Sequence, residues 1–238
     1  MSKVFQFKQF SVDQTNCGMK VNTDAAILGS IAINDDINFA LEIGTGTGVI
    51  ALMIAQRYPQ AKIDAVEIDE MASLTAELNF RNSPFSDHIN LIKSSFEEHF
   101  SKIDDKKYDL IISNPPYFVN ALKSDDASKR LARHTNTDFF QDLISGSSLH
   151  LSLHGLLYLI LPLDTAELVK SLLLTAERLA LKKTIFIHSF PESKPYRCIL
   201  VIGLGIESAV TQKFVIYNSQ NSYTEEYRVL LKDYLTIF

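Results

Sequence analysis

Short runs of isoleucine, valine and leucine recur along the chain, and longer amphipathic stretches separate them. Apolar runs of about four to eight residues are typical of buried strands, whereas apolar positions three and four apart are typical of helices. The pattern predicts seven strands, at residues 39–43, 62–67, 89–92, 108–112, 155–161, 184–188 and 198–203. It predicts helices at residues 25–33, 49–55, 71–80, 138–153, 165–179 and 225–235.

This alternation of strands and helices predicts an α/β fold, with a mainly parallel sheet of seven strands and helices on both faces. The strands at 39–43 and 108–112 are almost entirely apolar, as expected of strands buried on both faces. No helix separates the last two strands, so we expect the last strand to run antiparallel. Asp138 is a candidate N-cap for helix 138–153, and Thr23 with Asp24 is one for helix 25–33.

Composition indicates a single globular domain. The 238 residues are 46% hydrophobic and 21% charged, which suits one α/β domain with a substantial core. The first residues lack the apolar core of a signal peptide, and no apolar stretch approaches the roughly 20 residues of a membrane span. Cys17 and Cys198 form no metal-ligand cluster. We therefore expect a cytoplasmic protein with no metal and no membrane partner.

A glycine-rich segment follows the first predicted strand. Gly44, Gly46 and Gly48 alternate with threonines before helix 49–55. Glycines allow a tight turn and let the backbone approach a cofactor closely. Val49 stands where a dinucleotide site needs a third glycine or alanine, which weakens the alternative of an NAD-dependent oxidoreductase. Glu67 ends the second strand, about 20 residues on, where a carboxylate can accept hydrogen bonds from ribose hydroxyls.

Asn114, Pro115, Pro116 and Tyr117 directly follow the strand at 108–112 and Ser113. Alone, this tetrad is a rigid turn, but ligands of open α/β sheets bind at the carboxyl ends of strands. The Asn114 side-chain oxygen and the Pro115 carbonyl can accept both hydrogens of a planar NH₂ group. Prolines fix those acceptors, and Tyr117 can stack on an extruded base. The tetrad predicts chemistry on a planar nitrogen.

The glycine loop and the tetrad are similar to those of class I S-adenosylmethionine-dependent methyltransferases. Residues 5–12, 19–29, 132–134 and 194–197 extend the similarity over nearly the whole chain, which resembles the bacterial valine-tRNA adenine-N6 methyltransferases. The resemblance implies a Rossmann-like domain spanning residues 1–238, with residues 1–36 as a cap over the cofactor site. It also implies that a monomer transfers a methyl group from S-adenosylmethionine to N6 of adenine 37 in the anticodon loop of valine tRNA.

Candidate cofactor contacts come from the loop, the strand ends and this resemblance. Glu42 would help to hold the methionine end, Ser95 replaces the aspartate that usually meets the cofactor adenine, and Phe96 would stack near that ring. The full set is Thr23, Asp24, Glu42, Gly44, Thr45, Gly46, Gly48, Glu67, Ile68, Ser95, Phe96 and Asn114.

Basic residues near the predicted active edge are the candidates for contacts with RNA phosphates. The formal net charge of −5 counts against a nucleic-acid partner. The alternative is that the basic stretch containing Lys129, Arg130 and Arg133 is a solvated loop that binds no phosphate. The candidates are Lys8, Lys129, Arg130, Arg133, Lys194 and Arg197.

The tetrad alone leaves the substrate open, because enzymes acting on guanine N2 of ribosomal RNA or on glutamine amides share it. Glutamine enzymes of this type usually carry an extra N-terminal helical domain, for which there is no room before residue 39. A catalytically silent RNA-binding protein is a further alternative, against which the intact tetrad speaks.

Overall fold

The computed structural model describes residues 4–15, 19–115, 126–205 and 209–238, of which residues 126–136 are described by their backbone alone. The helices, in chain order, are α1 (Thr23–Ile31), α2 (Val49–Arg57), α3 (Glu70–Arg81), α4 (Phe96–Lys102), α5 (Asp126–His150), α6 (Leu163–Leu173) and α7 (Glu225–Leu231). The strands are β1 (Val4–Gln6), β2 (Ser11–Asp13), β3 (Phe39–Ile43), β4 (Lys62–Glu67), β5 (Ile89–Lys93), β6 (Tyr108–Ser113), β7 (Leu151–Leu161), β8 (Leu179–His188), β9 (Pro195–Leu204), β10 (Val210–Val215), β11 (Tyr217–Ser219) and β12 (Ser222–Tyr223).

The central sheet has the strand order β10-β8-β9-β7-β6-β3-β4-β5 within the described part of the chain. All neighbours are parallel except β9, which runs antiparallel to both β7 and β8. This confirms the predicted α/β class, the seven predicted strands and the antiparallel direction of the strand at 198–203. The predicted total of seven strands is wrong, because β10 adds a parallel edge strand beside β8.

Two hydrophobic clusters lie on the two faces of the sheet. One contains the apolar faces of α1, α2, α3 and α7, and the other contains those of α4, α5 and α6. β3 and β6 contribute side chains to both clusters, which explains why these strands are almost continuously apolar. No helix of the described residues is long and apolar enough to cross a membrane.

Several predicted helix boundaries are wrong. Helix α5 ends at His150 because Leu151 pairs with Tyr108 in the sheet, and α6 ends at Leu173 before Leu179 begins β8. Helix α7 ends at Leu231, and Leu235 instead forms a bridge with Phe7.

Both predicted caps are also wrong. Asp138 lies inside α5, which begins at Asp126. The cap of α1 is Asn22, whose side-chain oxygen accepts a hydrogen bond from the amide of Ala25 at 2.9 Å. An asparagine oxygen satisfies an otherwise unpaired amide of the first turn.

Candidate active site

The carboxyl edge of the sheet brings the predicted cofactor and catalytic segments together. Ile43 is in register with Val66 on one side and with Ser113 on the other, and Glu67 is in register with Lys93. The segments that follow β3, β4, β5 and β6 therefore leave the sheet at one edge. These are the glycine loop, residues 68 and 69, Ser95, and Asn114 with Pro115.

The glycine loop has the backbone conformation that its sequence predicts. Gly44, Gly46 and Gly48 have φ angles of +73°, +57° and +82°, which side chains rarely tolerate. A Cβ at Gly44 or Gly46 would meet nothing within 4 Å, whereas one at Gly48 would collide with the ring of Phe80. The loop thus packs on α3 at one end and faces open space at the other, which suits a cofactor lying against it.

Glu67 holds the open end of this loop. Its Oε2 accepts a hydrogen bond from the Gly46 amide at 2.8 Å, and its Oε1 accepts one from the Asp69 amide at 2.9 Å. A carboxylate has about four acceptor positions, so Glu67 retains capacity for ribose hydroxyls. Asp69 is used instead as the cap of α3, because its Oδ1 accepts from the Ala72 amide at 2.7 Å. Ile68, between them, is 75% exposed.

Glu42 lies buried beneath the loop, with 2% of its surface exposed. Its Oε2 accepts hydrogen bonds from the Thr45 hydroxyl at 2.5 Å and from the Ala51 amide at 2.9 Å. Burial raises the pKa of Glu42 from 4.5 to about 8, and the nearby charge of Glu67 adds to the rise. The Glu42 carboxyl therefore joins β3, the loop and α2, largely in its protonated form at neutral pH.

The raised pKa of Glu42 predicts a pH dependence of stability. The unfolded chain releases the Glu42 proton near pH 4.5 and the folded chain only near pH 8, so folding is favoured below this range and loses stability as the pH rises through it. We expect Glu42→Gln, which removes the titration, to weaken this dependence. Urea unfolding of both proteins from pH 5 to 9 measures it, and parallel curves would contradict the expectation.

Ser95 and Phe96 have structural roles beside the predicted cofactor role. The Ser95 hydroxyl accepts a hydrogen bond from the Glu98 amide at 3.1 Å and caps α4, a helix that the sequence pattern did not predict. Phe96 is 6% exposed and packs edge-on against Phe100 and Phe139. Phe96 is therefore a core residue at the carboxyl edge of the sheet, with little ring surface left for a ligand.

Asn114 directly follows β6 and is partly exposed, and the next residue, Pro115, is buried. The fully buried Ser113 donates a hydrogen bond from its hydroxyl to the carbonyl of Ile43 at 2.8 Å. This bond ties the start of the tetrad to the start of the glycine loop, a link that the sequence pattern does not predict. Pro116 and Tyr117 lie outside the described residues.

The N-terminal segment is fastened beside the loop by Asn79 of α3. Asn79 donates from its amide nitrogen to the carbonyls of Asp13 and Thr47, at 2.9 and 2.8 Å, and accepts from the Asp13 amide at 2.8 Å. Thr75 also donates to the carbonyl of Thr15. Residues 11–15 therefore lie next to the glycine loop, a position that local sequence patterns could not reveal.

Asp24 and Arg197, predicted to contact cofactor and RNA respectively, meet each other. Arg197 donates from Nε to Oδ2 of Asp24 at 3.0 Å, and Asp24 is 8% exposed. The ion pair fixes the first turn of α1 against the start of β9. Thr23 begins α1 beside it.

We expect Arg197→Ala and Asp24→Asn each to lower the free energy of unfolding by about 1–3 kcal/mol, because each removes the ion pair between Arg197 and the buried Asp24 carboxylate. The double variant should lose less than the sum of the two. Denaturant unfolding of all three measures this, with the exposed Lys194→Ala as the matched control. Strictly additive losses would mean that the pair does not act as a unit.

The other predicted RNA contacts are spread around the molecule. Lys8 donates to the carbonyls of Lys232 and Phe238, which ties the N-terminal hairpin to the C-terminal residues. Lys194 is exposed at the carboxyl edge, between β8 and β9. Lys129, Arg130 and Arg133 lie on α5, but their side chains fall outside the described residues. Within the described residues, no group of three His, Cys, Asp or Glu is placed to hold a metal ion.

Comparison with known proteins shows which family the chain belongs to. The model described as the methyltransferase small domain matches residues 19–183. The chain belongs to this family of methyltransferases. A curated relative from Pedobacter heparinus is 42% identical over 238 residues, covering 100% of both chains, and one from Bacteroides thetaiotaomicron is 36% identical over 97% of this chain and 96% of its own. Both relatives are named tRNA1(Val) (adenine(37)-N6)-methyltransferase.

Solved structures of methyltransferases share the fold. A predicted O-methyltransferase from Agrobacterium tumefaciens superposes with a TM-score of 0.66 at 18% identity, over 87% of this chain and 95% of its own. TrmN from Thermus thermophilus superposes with a TM-score of 0.59 at 20% identity, over 76% of this chain and 48% of its own. The Rossmann-like methyltransferase architecture predicted from the sequence is confirmed.

Proposed function

We propose that this methyltransferase transfers a methyl group from S-adenosylmethionine to N6 of adenine 37 in the anticodon loop of valine tRNA. The observation that carries the proposal is the bond from Ser113 to Ile43, which locks Asn114 next to the glycine loop. The full-length relatives named for this reaction support the choice of substrate.

The open face of the glycine loop, with Glu67 at its rim, fits the nucleoside part of S-adenosylmethionine. Glu67 would accept hydrogen bonds from the ribose hydroxyls, and Glu42 would support the loop below the methionine end. Residues 1–36, of which residues 11–15 lie next to the loop, would cap the cofactor as part of one domain spanning residues 1–238. When bound, S-adenosylmethionine supplies an electrophilic methyl group on a positively charged sulfur.

Asn114 and Pro115 would prepare the adenine amino group for attack. The lone pair of this nitrogen is delocalised into the ring, which makes it a poor nucleophile. The Asn114 side-chain oxygen and the Pro115 carbonyl accept its two hydrogens, which turns the lone pair toward the methyl group. Asn114 and Pro115 would hold the nitrogen for attack on the methyl group that the bound cofactor would supply, and the surplus amino proton would pass to water.

Alignment would supply most of the acceleration in this scheme, because effective molarities of about 10⁵ M or more are known for well-oriented groups. No strong base is needed. Tyr117 would stack on the extruded base, and unpaired loop bases of RNA need little energy to leave their stack. Lys194 and the basic residues of α5 would contact phosphates around the entrance.

Side-by-side incubation with labelled S-adenosylmethionine tests the substrate class. Unmodified valine tRNA, ribosomal RNA and release factor are the three acceptors, and the Asn114→Ala protein is the control. We expect label in the tRNA alone. Label in ribosomal RNA would identify guanine N2 as the target in place of adenine N6. Label in release factor would identify a glutamine amide as the target.

A further inference from the structure

Five aromatic rings near the C-terminus form a continuous row, here called the aromatic ladder. Phe190 packs on Tyr217 with ring centres 5.6 Å apart, Tyr217 stacks on Tyr223 at 4.9 Å, and Tyr223 stacks on Tyr227 at 5.1 Å. At the inner end of the ladder, Phe238 meets Tyr223 and Tyr227 edge-on. Tyr227 is 5% exposed and Phe190 is 40% exposed, so the ladder runs from the core to the surface.

The ladder opens at the same edge of the sheet as Asn114. His188 at the end of β8 is in register with Val215 at the end of β10 and with Pro195 at the start of β9. Strands β8 and β10 run in the same direction as β6, so Phe190 and Tyr217 leave the sheet at its carboxyl edge. Three to four strand spacings of about 4.8 Å place them roughly 15–20 Å from Asn114.

A cavity of about 320 Å³ lies at the exposed end of the ladder. It is lined by aromatic rings and by two exposed amides, Gln220 and Asn221, in the turn between β11 and β12. Asn221 has a φ angle of +63°, where glycine would be less strained, and so this turn retains a polar side chain at some cost. Flat rings beside amide donors and acceptors match the face and the edge of a nucleobase.

Hydrogen bonds hold the loop that carries Phe190 in place, although the Phe190 ring is exposed. Ser193 exchanges hydrogen bonds with the backbone of Phe190 at 2.9 and 3.0 Å, and its carbonyl accepts from the His188 ring at 2.5 Å. Lys213 of β10 donates to the carbonyl of Pro191. A platform fixed before binding loses little conformational entropy when a ligand stacks on it.

We propose that Phe190, Tyr217 and the two amides form a second base-binding site, which stacks an unpaired base of the tRNA loop several nucleotides from the methylated adenine. This inference rests on the proposed function. It assigns the far end of the carboxyl edge to substrate recognition rather than to catalysis. The exposed Lys194, four residues after Phe190, would meet a phosphate beside that base.

Phe190→Ala tests the site by its affinity for the valine anticodon stem-loop. Stacking of one base is worth about 1–3 kcal/mol, so we expect binding to weaken by about tenfold, with kcat at saturating tRNA unchanged. Phe190→Trp should retain affinity. Phe39→Ala is the matched control, because Phe39 is 43% exposed at the start of β3 on the opposite edge. Equal thermal unfolding of all variants establishes that they fold alike.

Stem-loops that lack one base at a time identify the partner. Removal of the stacked base should weaken binding to the unchanged protein by about the same factor, and should cause no further loss in Phe190→Ala. If the unchanged protein methylates the tRNA while Phe190→Ala binds every stem-loop as tightly, the second site is refuted and the proposed function stands. If the unchanged protein methylates no tRNA, both are refuted.

Discussion

Asn114→Ala should lower kcat for methyl transfer by at least about 10³-fold and change cofactor affinity by less than about tenfold. The substitution removes one of the two acceptors proposed to orient the adenine amino group, and preorganised contacts of this kind are worth about 10²–10³ in rate before the loss of alignment is added. Single-turnover methylation of valine tRNA measures the rate, and calorimetry measures the affinity for S-adenosylmethionine.

Asn38→Ala is the matched control for this experiment. Asn38 is an exposed asparagine just before β3, at the opposite edge of the sheet from Asn114. The Asn38→Ala protein should methylate tRNA at the rate of the unchanged protein. Turnover by Asn114→Ala within about tenfold of the unchanged protein would mean that Asn114 does not carry the role derived for it.

Glu67→Ala should weaken the binding of S-adenosylmethionine by at least about 100-fold. The substitution removes the acceptor proposed for the ribose hydroxyls, and hydrogen bonds to a charged group are worth about 1.5–3 kcal/mol each. It also releases the Gly46 amide, which Glu67 holds at 2.8 Å. Calorimetric titration with S-adenosylmethionine measures the effect.

Glu70→Ala separates this contact from a change of local charge. Glu70 is an exposed acid in the first turn of α3, three residues after Glu67, and among the described residues its side chain makes no hydrogen bond to the glycine loop. The Glu70→Ala protein should bind S-adenosylmethionine with the same affinity as the unchanged protein. Equal affinities for the Glu67→Ala and Glu70→Ala proteins would remove Glu67 from the cofactor site.

The buried strands and the glycine loop were predictable from the sequence because they are local. β3 and β6 are apolar on both faces, and the glycine loop is a continuous segment whose glycines have the positive φ angles that its sequence predicts. The edge strand β10 escaped prediction because, among its six residues, only Phe214 is buried. The junction of α5 and β7 escaped it because Leu151 follows Leu143 and Ile144 by eight and seven residues, a spacing that continues the helical period across the boundary.

The contacts that hold the site together join residues far apart in the sequence. Asn79 reaches Asp13, Ser113 reaches Ile43, and Arg197 reaches Asp24 across 173 positions. Hydrogen bonds of this kind have no periodicity that a sequence pattern can display. Arg197 illustrates the consequence, since its charge predicted a phosphate contact and the fold gives it a carboxylate.

Nucleoside mass spectrometry of valine tRNA after incubation with the protein and S-adenosylmethionine tests the central claim most directly. Two transcripts are compared, one with adenine at position 37 and one with guanine there. We expect N6-methyladenosine at position 37 of the first and none in the second. Methylation at another nucleotide, or no product from a protein shown to bind S-adenosylmethionine, would contradict the assignment of this edge to adenine 37.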